Sequence, residues 1–112
     1  MMTLDSEVRP DGIAVLHPRG RLTIIGAGDL KALIDAVVAE GHHVVVVDLD
    51  ETVSIDSSGL GALVGGLRTA RAAGGDLRIA NPTSQVRMVL DLTTMDRVFR
   101  PHASVEDAVG AS

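Results

Sequence analysis

The residues best placed to do chemistry lie in one short stretch, Ile55-Asp56-Ser57-Ser58-Gly59-Leu60-Gly61, where an apolar run gives way to helical spacing. A serine hydroxyl at such a junction can cap the helix, attack an acyl group, or accept a phosphoryl group. On a helical wheel with Leu60 at zero, Leu60, Leu63, Val64 and Leu67 form one core-facing stripe. Ser58 then falls at about 160°, opposite the core, and Ser57 at about 60°, on its flank. The two serines are therefore not equivalent. Asp56 or Ser57 suits the N-cap, Gly59 completes the turn, and Ser58 is left free and exposed. Gly61, Ala62 and Gly65 fall on the side of Ser58, a strip of very small residues that another protein's backbone can approach closely. Two readings follow for these glycines. They either let the helix pack tightly on a sheet, both serines being caps, or they form a contact surface with a modifiable hydroxyl in it. A phosphate on Ser58 would be tolerated by the helix N-terminus. At a dry interface beside Asp56 it would be repelled and costly to desolvate, which would make the site a switch.

Other chemistries fit less well. A serine hydrolase would need a nucleophile elbow of Gly-x-Ser-x-Gly type, which the chain lacks, although His17, His42, His43 and His102 are available as bases. Gly59-x-Gly61 also follows a strand and opens a helix, like a phosphate cradle, but Val64 stands where the third glycine belongs. Asp48 or Asp50 as a receiver-type phosphoacceptor would need further carboxylates to hold magnesium, and the first strand ends without any. Asp48, Asp50 and Glu51 read instead as a solvated strand end, and no metal site or cofactor is expected. Met88 and Met95 read as gap fillers, and Arg68 and Arg71 as exposed helix residues.

The elements that must position the serines follow from periodicity. Ile13–Leu16 and Arg21–Ile25 read as strands joined by a turn at Pro18-Arg19-Gly20, an N-terminal hairpin. A helix follows from Asp29, with Leu30, Leu33, Ile34, Val37 and Val38 on one face and Gly41 beyond its end. Val44–Leu49 is a β-branched run suited to a strand buried on both faces. The helix carrying Ser58 ends at Gly74-Gly75. Leu77–Ala80 gives another strand, Thr83 or Ser84 caps a third helix, Arg97–Phe99 reads as a short strand, and a last helix starts at Ser104. The order implies an α/β fold, a single domain with a mixed, mainly parallel sheet covered by about four helices. Residues 1–12 read as an N-terminal extension and 13–110 as the domain.

Composition narrows the function. The chain has 112 residues, 46% of them hydrophobic but only 1% aromatic, so aliphatic side chains supply the core and bases find no rings to stack on. A formal net charge of −5 disfavours direct nucleic-acid or anionic-membrane binding and leaves a protein partner open. The absence of cysteine excludes disulfides and thiolate chemistry and suits a reducing cytoplasm. No secretory leader or membrane span is expected.

The segment "VVVVDLDETVSIDSSGLGALVGGLRTARAAGGDLRIANP" resembles the core of the STAS domain, in particular that of bacterial anti-sigma factor antagonists. The likeness runs from about Ile13 to Val109. It is most specific at the buried strand ending in Asp-Leu and at Asp-Ser-Ser-Gly-Leu-Gly, with weaker agreement at Gly20-Arg21-Leu22 and Asn81-Pro82. The resemblance implies that Ser58 is the phosphoacceptor, flanked by Asp56 and Ser57. It implies further that the unphosphorylated protein binds an anti-sigma factor that is also a serine kinase, freeing a sigma factor. Phosphorylation from ATP would end that binding, and a metal-dependent serine phosphatase would restore it; the antagonist itself would be no enzyme. Many antagonists carry an acidic residue directly after Gly-Arg-Leu, where this chain has Thr23, followed by the apolar Ile24-Ile25. The expected partner surface comprises Thr23, Ser58, Gly61, Ala62 and Gly65 on a cytoplasmic monomer. The same fold also implies an alternative, a non-switching interaction subunit of a lipid-transport or stress-sensing assembly.

Overall fold

Residues 2–111 are described by a computed structural model. Five strands and five helices follow the order β1 (Thr3–Val8), β2 (Ala14–Leu22), α1 (Ile24–Ala39), β3 (Val44–Asp48), β4 (Thr52–Ile55), α2 (Ser57–Ala72), β5 (Asp76–Ala80), α3 (Ser84–Leu92), α4 (Asp96–Phe99) and α5 (Val105–Gly110). The sheet runs β1-β2-β3-β5, with β4 also pairing β2. Only β1–β2 is antiparallel, so the sheet is mixed and mainly parallel, as the alternation of strands and helices implies.

The β-branched run of β3 is central and buried on both faces. Val45 and Val47 join the large core beneath α1, α2 and α3, with Leu16, Ile34, Leu63 and Leu90, while Val46 joins Val15, Ala80 and Ala108 under α5. The expected cap at Thr83 is made, and Ser104, the expected start of the last helix, caps it. The Thr83 hydroxyl accepts from the Val86 N–H (3.4 Å), and the Ser104 hydroxyl from the Asp107 N–H (3.0 Å).

Several local expectations are corrected. Pro18 and Gly20 do not make a hairpin turn but lie within one nine-residue strand, β2, at the place where its neighbour changes from β3 to β4. The register shifts between Gly20 and Arg21, Gly20 has a φ of 103°, and the Thr52 hydroxyl donates to the Pro18 carbonyl (2.7 Å). Proline and glycine thus mark a bulge inside a strand rather than its end. Residues 3–8, assigned above to an extension, form β1 on the outer edge of β2. Ile24–Ile25 open α1, which starts well before Asp29, with Thr23 at the N-cap position. Arg97–Phe99 is helical, because Phe99 enters the core from a single turn, and Thr52–Ile55, between the buried β-branched run and the serines, is a further strand that leads into the site.

Candidate functional site

β2 and β4 leave the sheet side by side, Leu22 opposite Ile55, and each passes directly into a helix. The N-termini of α1 and α2 are therefore neighbours. Thr23 holds the N-cap position of one without a side-chain bond to its N–H groups, Asp56 caps the other, and the Asp56 N–H donates to the Leu22 carbonyl (3.4 Å). This is the face on which Ser57 and Ser58 stand.

The cap is Asp56 and not Ser57. Its Oδ1 accepts from the Ser58 N–H (2.9 Å) and the Gly59 N–H (3.1 Å), satisfying two orphan donors of the first turn. Loss of such a cap costs about 1 kcal/mol. Ser57 is exposed and Ser58 half-buried, so Ser58 is less open than its place opposite the core stripe implied. Its hydroxyl has no hydrogen-bond partner among the described residues. Gly59 is buried, and a Cβ there would lie 2.5 Å from the Leu22 carbonyl oxygen and 2.6 Å from Ile55 Cγ1. Only glycine lets α2 begin this close to β2.

The small-residue strip divides. A Cβ on Gly61 would meet nothing within 4 Å, so this position next to Ser58 is open. Ala62, expected on the contact surface, is only 7% exposed, and Gly65 lies under Lys31, whose Cε would be 2.9 Å from an added Cβ. The physical reason is α1, which packs along α2 and brings Ile34 within 2.7 Å of a Cβ on Gly66. A wheel drawn for one helix shows the face turned to the sheet but not the flank covered by a neighbouring helix. The close-packing reading therefore accounts for Gly59, Gly65 and Gly66, and the contact reading is left with Gly61.

What the sequence reading placed only loosely is the apolar rim. Ile24 and Ile25, in the first turn of α1, are 74% and 80% exposed, and Val53 of β4 is 61% exposed. Beside them a cleft of about 450 Å³ is lined by Met2, Arg21, Thr23, Ile25, Gly26 and Asp29. Consecutive isoleucines at a break in helical periodicity were the available signal, since a buried strand would have continued the alternation.

The acidic strand end is not uniformly solvated. Asp50 and Glu51 are exposed, but Asp48 is buried and tied to Asn81 and His17. Among the described residues no group of three His, Asp or Glu side chains is arranged to hold a metal ion, and no helix is long and apolar enough to cross a membrane.

Comparison with known proteins gives a family. The model of the STAS domain matches residues 6–108. A Thermotoga maritima protein described as "Putative anti-sigma factor antagonist" is 29% identical over 100 residues, 88% of each chain. The crystal structure of an anti-sigma factor antagonist from Mycobacterium paratuberculosis superposes with a TM-score of 0.85 at 26% identity, covering 97% of this chain and 92% of that one. SpoIIAA from Bacillus, at 21% identity, shares the fold. Its unphosphorylated form gives a TM-score of 0.82, covering 96% of this chain and 93% of that one, and its phosphorylated form 0.74, covering 96% of each.

Proposed function

The chain belongs to the STAS domain family, and we propose that within it this protein is an anti-sigma factor antagonist switched by phosphorylation of Ser58. The observation that carries the reading is the position of Ser58. It lies in the first turn of α2, its backbone N–H taken by the Asp56 cap and its hydroxyl without a partner among the described residues, next to the first turn of α1 with its exposed Ile24 and Ile25. In the unphosphorylated state Ile24, Ile25, Val53 and Gly61 dock a partner that is both anti-sigma factor and serine kinase, and the sigma factor is released. In the off-switching step the Ser58 oxygen bonds to the γ-phosphorus of ATP held by the partner. The β–γ bridging bond breaks, ADP leaves, and the hydroxyl proton passes to a base on the kinase.

The product keeps the fold and loses the partner. The new charge, about −1.5 to −2, meets the positive end of the α2 dipole. Across a closed interface the same charge lies beside the Asp56 carboxylate and the apolar rim, where desolvation is costly. A metal-dependent serine phosphatase resets the switch. The protein works as a cytoplasmic monomer and catalyses nothing itself.

The test is capture from the native lysate with wild-type, Ser58→Ala and Ser58→Glu baits, read by mass spectrometry and by transfer of labelled phosphate. Wild type and Ser58→Ala are expected to retain one ATP-dependent kinase, which labels wild type alone, while Ser58→Glu loses at least about tenfold of the binding. Equal retention by all three baits of a transporter or sensing assembly would replace the switch with the non-switching subunit.

A further inference from the structure

Away from the serines, a shallow groove of about 360 Å³ runs along the outer edge of β5, lined among others by Arg71, Asp76, Arg78, Arg97, Arg100 and His102. Four of the ten basic side chains of an acidic chain thus converge on one place, with one carboxylate among them. Asp76 acts as an internal brace. Its Oδ1 accepts from the Leu77 N–H (3.0 Å) and lies 3.6 Å from Arg71 Nε, and its Oδ2 lies 3.3 Å from Arg78 Nε. Arg78 Nη1 also donates to the Ala108 carbonyl (2.9 Å), which fixes the guanidinium. Arg97 and Arg100 have no carboxylate partner among the described residues. Arg100 is held at a φ of 46°, in the left-handed region uncommon for a side chain of its size.

The groove is separate from the switch face. Arg71 lies in the last turn of α2 and Ser58 in the first, about 20 Å apart along the helix at 1.5 Å per residue. The groove is also unsuited to an added strand. The Leu77 N–H is occupied by Asp76, and the Ile79 carbonyl and Asn81 N–H already pair with the backbone of His102. Phe99 lines the groove but is only 4% exposed, so no ring is offered for stacking a base. What remains to recognise a ligand is charge and guanidinium geometry. Arg97 and Arg100, which have no carboxylate partner among the described residues, can each bind a phosphate or carboxylate through two parallel N–H groups, and Arg71 and Arg78, shared with Asp76, add positive field.

We propose that this groove binds a compact polyanion, a small molecule carrying two or more phosphate or carboxylate groups, independently of Ser58. The test is titration of the ¹⁵N-labelled protein at about 0.15 M ionic strength, where the Debye length is about 8 Å, with inorganic pyrophosphate and, in a parallel arm, citrate. Saturable amide shifts are expected at residues 76–78 and 97–102. Arg97→Gln/Arg100→Asn, in which asparagine keeps the left-handed backbone accessible, should weaken binding at least about tenfold. Arg68→Gln/Arg87→Gln, which removes the same charge from exposed side chains that do not line the groove, should change it less than about twofold. The tighter of the two anions assigns the site to phosphate or to carboxylate chemistry. Absence of saturable binding, equal weakening in both double variants, or shifts confined to residues 57–60 at the start of α2 would overturn the proposal. Amide dispersion of each variant before titration establishes that it is folded.

Discussion

At the end of β3, Asp48 accepts hydrogen bonds from Asn81 Nδ2 (3.0 Å) and the Asp50 N–H (3.2 Å), and its second oxygen lies 3.2 Å from His17 Nδ1. Asp50, two residues on, receives no comparable partner. Packing around its carboxyl withholds water and the Asp48 charge stands beside it, so its pKa is raised above the ordinary aspartate value. The sign follows from linkage. A carboxyl with a higher pKa folded than unfolded favours the native state when protonated and loses that contribution as pH rises from the unfolded value through the folded one. Asp50→Asn should therefore raise the melting temperature at pH 7, and the difference should vanish below about pH 3, where the aspartate is protonated in both states. Thermal melts of both proteins across that range check it, and a variant less stable at pH 7 would contradict the assignment. The sequence reading treated Asp48 and Asp50 alike. What separates them, Asn81, is 33 residues away and reaches Asp48 only through the pairing of β3 with β5.

The start of α2 shows how much of an element periodicity can carry. Its core stripe, its N-terminal turn and the free hydroxyl of Ser58 were legible from spacing alone, but its second packed flank was not, because that depends on α1. The cap of α3 and the start of α5 were legible because Thr83 and Ser104 act locally, on donors three residues away. The start of α1 was hidden by β-branched Ile24 and Ile25 and by two glycines, all weak helix formers, and tertiary packing of Ala27 and Leu30 overrides them. Two glycines on α2 now separate the roles that the sequence left merged. Gly59→Ala places a methyl against the Leu22 carbonyl and Ile55, and it should destabilise by about 1–3 kcal/mol, as overpacking does. Gly61→Ala meets open space and should stabilise by up to about 1 kcal/mol through helix propensity. Urea unfolding measures both. If Gly61 belongs to the partner surface, the same variant weakens capture of the kinase while the fold gains stability. That combination would not arise from a position serving packing alone.

At the scale of the whole molecule, the order of the sheet decides what residues 1–12 are. Their composition is polar and β1 is mostly exposed, so nothing in the sequence marked them as part of the fold. The sheet nevertheless closes on them. β1 pairs along β2 from Thr3–Arg19 to Val8–Ala14, Met2 and Leu4 pack against the core, Met2 lies over Gly26, and Glu7 Oε1 lies 3.3 Å from His17 Nε2. β2 is the hub of the sheet, holding β3 and β4 on its other side. Without β1 its nine-residue edge would present unpaired N–H and C=O groups beside an apolar core, the condition under which sheets pair with other chains. Removal of residues 1–8 is therefore expected to leave the helices folded and to lower stability by about 1–3 kcal/mol through lost packing of the two half-buried side chains. It should also introduce concentration-dependent association through the uncovered edge. Far-UV circular dichroism, urea unfolding and light scattering on a sizing column read the three effects separately. A truncated protein that stays monomeric with an unchanged unfolding midpoint would return those residues to the status of an extension. Association through the β2 edge would instead make β1 the element that keeps this interaction module from pairing with itself.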